Sequence, residues 1–217
     1  LRDGIKPPNN PFIDNGGVIP SDKLYLDIDS AKVDWDELNA QPSSRMTINL
    51  EGKSGLYRQE LMILELLSNI NKDNWDRPLY YATTVGHDTH LNMTPNFSLN
   101  GLTYRVTPGQ PLEGGVNTEV MFDNMMNKFK WGGFDNPKVY LDENNRRMFS
   151  QMRNLFVMLV EALIDEGKNE KALQALEKSL IVLPSASMPF GHESIPLAES
   201  YLRLGEIDKG DAIIKEI

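Results

Sequence analysis

Between Tyr57 and Ile70 the apolar residues Met62, Ile63, Leu66, Leu67 and Ile70 recur at helical spacing, with Glu60, Glu65, Ser68 and Asn69 on the remaining arc. That period predicts one helix with a broad buried face. Asn71-Lys72-Asp73-Asn74 breaks it with turn formers, and Pro78 pushes Arg77 out of helical geometry. Residues 79–85 then read as an aromatic and β-branched strand ended by Gly86. Residues 23–28 and 45–50 alternate as short strands do, with a helical turn expected between them at 33–38. A short helix or turn is predicted near 89–99, and another strand at 102–107. Strand, helix, strand, helix, strand is the order of crossover units. The expected fold class is therefore α/β, a small mixed and mostly parallel sheet with flanking helices.

The period then becomes helical to the end of the chain. Residues 118–130 predict a Met-rich helix with Val120, Met121, Met125 and Phe129 inward. Met148, Met152, Leu155, Phe156, Leu159 and Leu163 form a sustained stripe behind a capping Asp142, and Gly167 ends it. A second helix, 169–183, is closed by Pro184. This pair resembles a tetratricopeptide hairpin, with Phe156, Leu159, Leu163, Gly167, Ala172, Leu176 and Pro184 in its expected places. Val160 and Ser179 stand where small residues are usual. A second copy runs from Gly191, with Leu197, Ala198, Tyr201, Gly205, Gly210 and Ile214 in register, its reference glycine 38 residues after the first. Two hairpins are too few for a free solenoid, so docking on the preceding domain is expected. The organisation expected is an extended linker or wrapped coil at 1–20, rich in Pro and Gly, an α/β domain at 21–140 and helical hairpins at 141–217.

Charge and composition narrow the function. The 217 residues carry a net charge of -9, which argues against nucleic acid, because phosphate binding needs clustered Lys and Arg. The charge is evenly spread: 13 basic and 18 acidic groups in 1–140, then 9 and 13 in 141–217. The absence of cysteine rules out disulfides, thiolate metal sites and a cysteine nucleophile. No apolar run approaches the roughly 20 residues that cross a bilayer, and no signal peptide is present. The chain starts with Leu, so an excised domain or processed product is expected.

Candidate chemistry is sparse. Gly86-His87-Asp88-Thr89-His90 follows a strand, where α/β sheets place ligands, and His87, Asp88 and His90 could contribute to a metal or acid–base site. The plain alternative is a solvated polar loop, since the remaining histidine, His192, lies between the repeats. Asp27-Ile28-Asp29 and Asp34-Trp35-Asp36 have the DxD form of some sugar-nucleotide transferases, but strand alternation and helix-start acids also explain them. The formal sequons at Asn92 and Asn96 and the Asp29-Ser30-Ala31 pattern are the kind chance produces. Trp75 and Arg77 read as structural, with Arg77 satisfying a carboxylate or helix-end carbonyls.

The run Glu60-Leu-Met-Ile-Leu64 followed by Asn74-Trp75-Asp76-Arg77-Pro78-Leu-Tyr-Tyr-Ala82 resembles the soluble C-terminal region of a bacterial family of multi-pass membrane proteins similar to protein O-mannosyltransferases. Leu99-Asn-Gly101 with Tyr104-Arg105, Val116-Asn117-Thr118, Met126 to Gly132 and Tyr140 to Asn145 continue the match in order, over about 45–217. The resemblance implies a parent, anchored in the membrane by upstream segments, that moves a sugar from a polyprenyl phosphate to a protein or envelope acceptor. Its catalytic carboxylates would sit in the membrane part. This chain would then be a non-catalytic periplasmic domain that binds an acceptor or partner protein through its helical repeats. The alternative is an interaction scaffold in an envelope protein that is not an enzyme. Candidate binding residues are Arg77, His87, Asp88, His90 and Tyr201; no catalytic or metal residue and no cofactor is assigned.

Overall fold

The computed structural model describes residues 21–53 and 55–217. The linker expected at 1–20 lies outside them. The described residues divide into two units, those of 21–97 with 106–110 and those of 98–105 with 111–217. The chain therefore passes from one to the other three times.

In the first unit, β1 (Lys23–Asp27) pairs antiparallel with β2 (Arg45–Asn49), Lys23 opposite Asn49 and Asp27 opposite Arg45. The period of two puts Met46 and Ile48 in the core and leaves Arg45 outside, 2.8 Å from Asp27. Between the strands, α1 (Trp35–Leu38) is capped by the Asp34 carboxylate, which accepts from the Glu37 N–H at 2.9 Å. Next, α2 (Arg58–Lys72) buries Leu67 and Ile70, but its apolar face is narrower than the pattern implied: Met62 is 67% exposed and Leu66 is also open. Asn74 and Trp75 then take left-handed backbone angles (φ 54° and 65°), uncommon for residues with a side chain. The turn is held where the Trp75 N–H reaches the Ile70 carbonyl at 3.0 Å and the buried indole donates to Asn71 Oδ1 at 3.0 Å.

A second sheet has the order β3-β5-β4, with β3 at Tyr80–Ala82, β4 at Phe97–Leu99 and β5 at Thr103–Val106. The Asn100 N–H to the Thr103 carbonyl (2.9 Å) and the Thr107 N–H to the Asn96 carbonyl (2.8 Å) bracket β4 and β5 as an antiparallel hairpin. The sheets are antiparallel, which corrects the mostly parallel sheet expected from the element order. A parallel crossover needs a dozen or more residues, usually a helix. Strand β3 leads instead into a pair of 3₁₀ turns, His87–Thr89 and Thr94–Asn96, and residues 97–99 are a strand. The one long helix here, α2, joins strands of different sheets.

The first α-helix of the second unit is α3 (Thr118–Asp123), capped by Asn117 Oδ1 on the Val120 N–H at 3.1 Å. It runs into a π-helical turn at Asn124–Lys128, closed by the Phe129 N–H to the Asn124 carbonyl at 2.8 Å. Met121 and Met125 are buried as the pattern predicts, whereas Val120 is exposed. Then come α4 (Glu143–Asp165), α5 (Asn169–Val182), α6 (Ile195–Arg203) and α7 (Ile207–Glu216). Asp142 caps α4 through the Asn145 N–H at 2.8 Å, as expected. Helices α4 with α5 and α6 with α7 form two hairpins around a core that includes Phe149, Phe156, Leu159, Leu163, Leu176 and Leu197.

The hairpins repeat bond for bond at a shift of 38. Gly167 (φ 75°) and Gly205 (φ 81°) donate to the carbonyls of Ile164 and Leu202 at 2.9 and 3.0 Å. Lys168 and Glu206 donate to Leu163 and Tyr201 at 2.8 and 2.9 Å, and Ala172 and Gly210 to Lys168 and Glu206 at 3.0 and 3.1 Å. Each glycine supplies the positive φ with which a helix commonly ends.

Candidate functional site

The polar centre of the first unit begins at the start of α2. Glu60, three residues into the helix region, accepts from the Tyr57 N–H at 2.7 Å and from Lys53 Nζ at 2.5 Å. Its carboxyl is buried, which raises its pKa, but the Lys53 hydrogen bond, the Tyr57 N–H and the lysine charge outweigh burial and hold it below the usual carboxylate value. Lys53 also donates to the Asp88 carbonyl at 3.4 Å, tying the loop after β3 to the head of α2.

Above this pair lies a ring cluster. Tyr81 of β3 sits 5.2 Å from His90 and 5.1 Å from Phe97, and His90 is 5.0 Å from Phe97 and 5.0 Å from His87, mostly edge to face. The Tyr81 hydroxyl is buried without a hydrogen-bond partner among the described residues. Burial first, and the Glu60 charge second, push it up to about 12. His90 is buried too, and its pKa is lowered by burial and by the neighbouring His87, against an opposing hydrogen bond with the Val85 backbone. At neutral pH the cluster therefore holds an ionised Glu60, a protonated Tyr81 and a neutral His90. Those states suit a structural joint.

The predicted residues separate accordingly. His87, Asp88 and His90 do come together, but only His90 is buried in the cluster; His87 meets its ring from the exposed side, and Asp88 is exposed. Among the described residues no group of three or more His, Asp and Glu could hold a metal ion. Arg77 pairs with Asp73 at the rim of a cleft of about 400 Å³ that Leu66, Ile70, Pro78 and Leu79 help to line. Tyr201 is fully buried in the second unit, its hydroxyl without a hydrogen bond among the described residues and pushed up to about 12 by burial. A ligand cannot reach it unless α6 moves.

Two features of the second unit escaped the sequence. Arg153 is buried between the rings of Phe149 and Phe190 (4.6 and 4.7 Å) and donates to the carbonyls of Leu183, Met188 and Pro189 at 2.7–3.4 Å. It fastens the loop between the hairpins to α4. Burial lowers its pKa to about 10, so it stays charged at neutral pH. Its only signal was its position one residue after Met152, inside an otherwise apolar stripe. The other is an aromatic cleft of about 310 Å³, floored by Leu102, Phe129, Trp131, Phe134 and Met152.

Residues 6–129 match the model of TMEM260-associated domain 2. The chain belongs to that family. The matched stretch of this TMEM260-associated chain spans the ring cluster and the Arg77 cleft, and it ends at Phe129, on the edge of the aromatic cleft. No curated protein and no solved structure matches the chain. Among the described residues no helix is long and apolar enough to cross a membrane.

Proposed function

We propose that this chain is a non-catalytic, extracytoplasmic domain of a membrane glycosyltransferase-like protein, and that it binds a protein acceptor or partner. The parent would transfer a sugar from a polyprenyl-phosphate donor, in the manner of protein O-mannosyltransferases. The observation that carries the reading is membership of the TMEM260-associated family across more than half of the chain. The paired hairpins, read as tetratricopeptide-like from their 38-residue register, supply the binding surface.

The test uses the parent protein in membranes, supplied with a polyprenyl-phosphate sugar and envelope protein acceptors, with and without this chain. Deleting the chain should abolish acceptor choice while donor binding survives. Sugar transfer by the isolated chain would refute its non-catalytic role, and an inactive parent would leave a scaffold.

A further inference from the structure

The aromatic cleft of the second unit has a polar rim of one kind. Lys130, Trp131 and Asn145, whose side chains carry an ammonium, an indole N–H and an amide, are among its lining residues. Among the described residues no hydrogen bond engages the Lys130 ammonium, the Asn145 side-chain amide or the Trp131 indole N–H. The Trp131 ring is itself fixed, stacked on Phe156 at 5.2 Å with 26° between the planes, and Phe129 lies 6.2 Å away near edge to face. A rigid aromatic floor with a few unengaged polar groups is the form of a binding site.

The rim groups select the ligand. An ammonium and an indole N–H only donate, and the lining contains no carboxylate. A sugar ring presents hydroxyls that donate as well as accept, and among the lining side chains only the Asn145 carbonyl oxygen could receive them. A proline segment is the complement: it has no N–H, its carbonyls point outward unsatisfied, and its flat rings pack on aromatic faces. We propose that this cleft binds a proline-rich segment of a partner protein in the polyproline II conformation, the mode in which aromatic-lined grooves take such peptides. The proposal goes beyond the domain's place in a glycosyltransferase-like parent, and it stands whether or not that parent transfers a sugar.

The test is a titration of the ¹⁵N-labelled chain with octaproline blocked at both ends, following the indole N–H signals of its three tryptophans, Trp35, Trp75 and Trp131. Trp131→Phe assigns the third signal. The Trp131 signal should shift saturably while those of Trp35 and Trp75 stay, and Lys130→Ala and Asn145→Ala, both at exposed positions, should each weaken binding roughly 3- to 10-fold. A Trp131 signal unmoved at millimolar octaproline, in a spectrum that remains dispersed, would overturn the proposal. So would an equal shift with methyl mannoside, which would make the cleft a sugar site.

Discussion

Arg153 is the residue on which the helical unit depends most. A planar guanidinium wedged between two rings and bonded to three carbonyls has no substitute of the same shape. Arg153→Ala removes the donor of the buried Leu183 carbonyl and of the less buried Met188 and Pro189 carbonyls, and should destabilise the unit by about 3 kcal/mol in urea unfolding. Arg153→Lys should recover little of it, because one ammonium cannot span Leu183, Met188 and Pro189. In the first unit, His90 sets a different dependence. Its folded pKa lies below its unfolded value near 6.5, so the unfolded chain binds the extra proton. Stability is complete above pH 6.5 and is lost as pH falls through the folded pKa. Thermal melts between pH 7.5 and 5 should show that acid loss, and His90→Phe should flatten it. Glu60 acts in a lower window: its depressed pKa gives stability above about 4.5 that disappears in stronger acid. The sequence placed His90 in the right loop and could not show its burial, because the rings of Tyr81 and Phe97 that enclose it arrive from two separate strands.

For the elements, legibility followed the range of the forces involved. Helices α4 and α5 were readable almost to the residue, since the stripe, the Asp142 cap and the stops at Gly167 and Pro184 are all local, while α6 and α7 were expected as a hairpin without bounds. Sheet pairing was not. The order of strands and helices says nothing about which strands bond, and a 3₁₀ turn was enough to replace the expected crossover. The α2 face was overread for a related reason: period marks which side could be buried, while the exposure of Met62 and Leu66 shows that the described residues of the first unit do not cover the whole of it. The hairpins give the sharpest element-scale prediction. A Cβ on Gly210 would lie 2.8 Å from Leu202 Cδ2 and 3.0 Å from the Ala198 carbonyl oxygen. Gly210→Leu should therefore prise α7 from α6, with a loss of helical ellipticity and a lower, broader melt. Ala172→Leu, at the equivalent fully buried place 38 residues earlier, should do the same to α4 and α5.

At the scale of the molecule, the decisive fact is that the chain passes between its units three times. The segment 98–105 belongs to the helical unit: Leu99 is in its core, Leu99 bridges Val116, and the Asn100 carbonyl accepts from the Asn124 side chain at 2.8 Å. A chain of residues 111–217 lacks all three and should melt well below one of residues 98–217, a comparison that calorimetry makes directly. The stretch shared with the family ends at residue 129, inside this unit. The matched stretch and the folded unit are thus cut at different places. A relative that carries the matched block must bring its own cover for Leu99, Val116, Met121 and Met125, the residues that α4 and its successors keep dry here. A chain cut at residue 129 would leave those four residues open to water, so the matched block alone does not close this core.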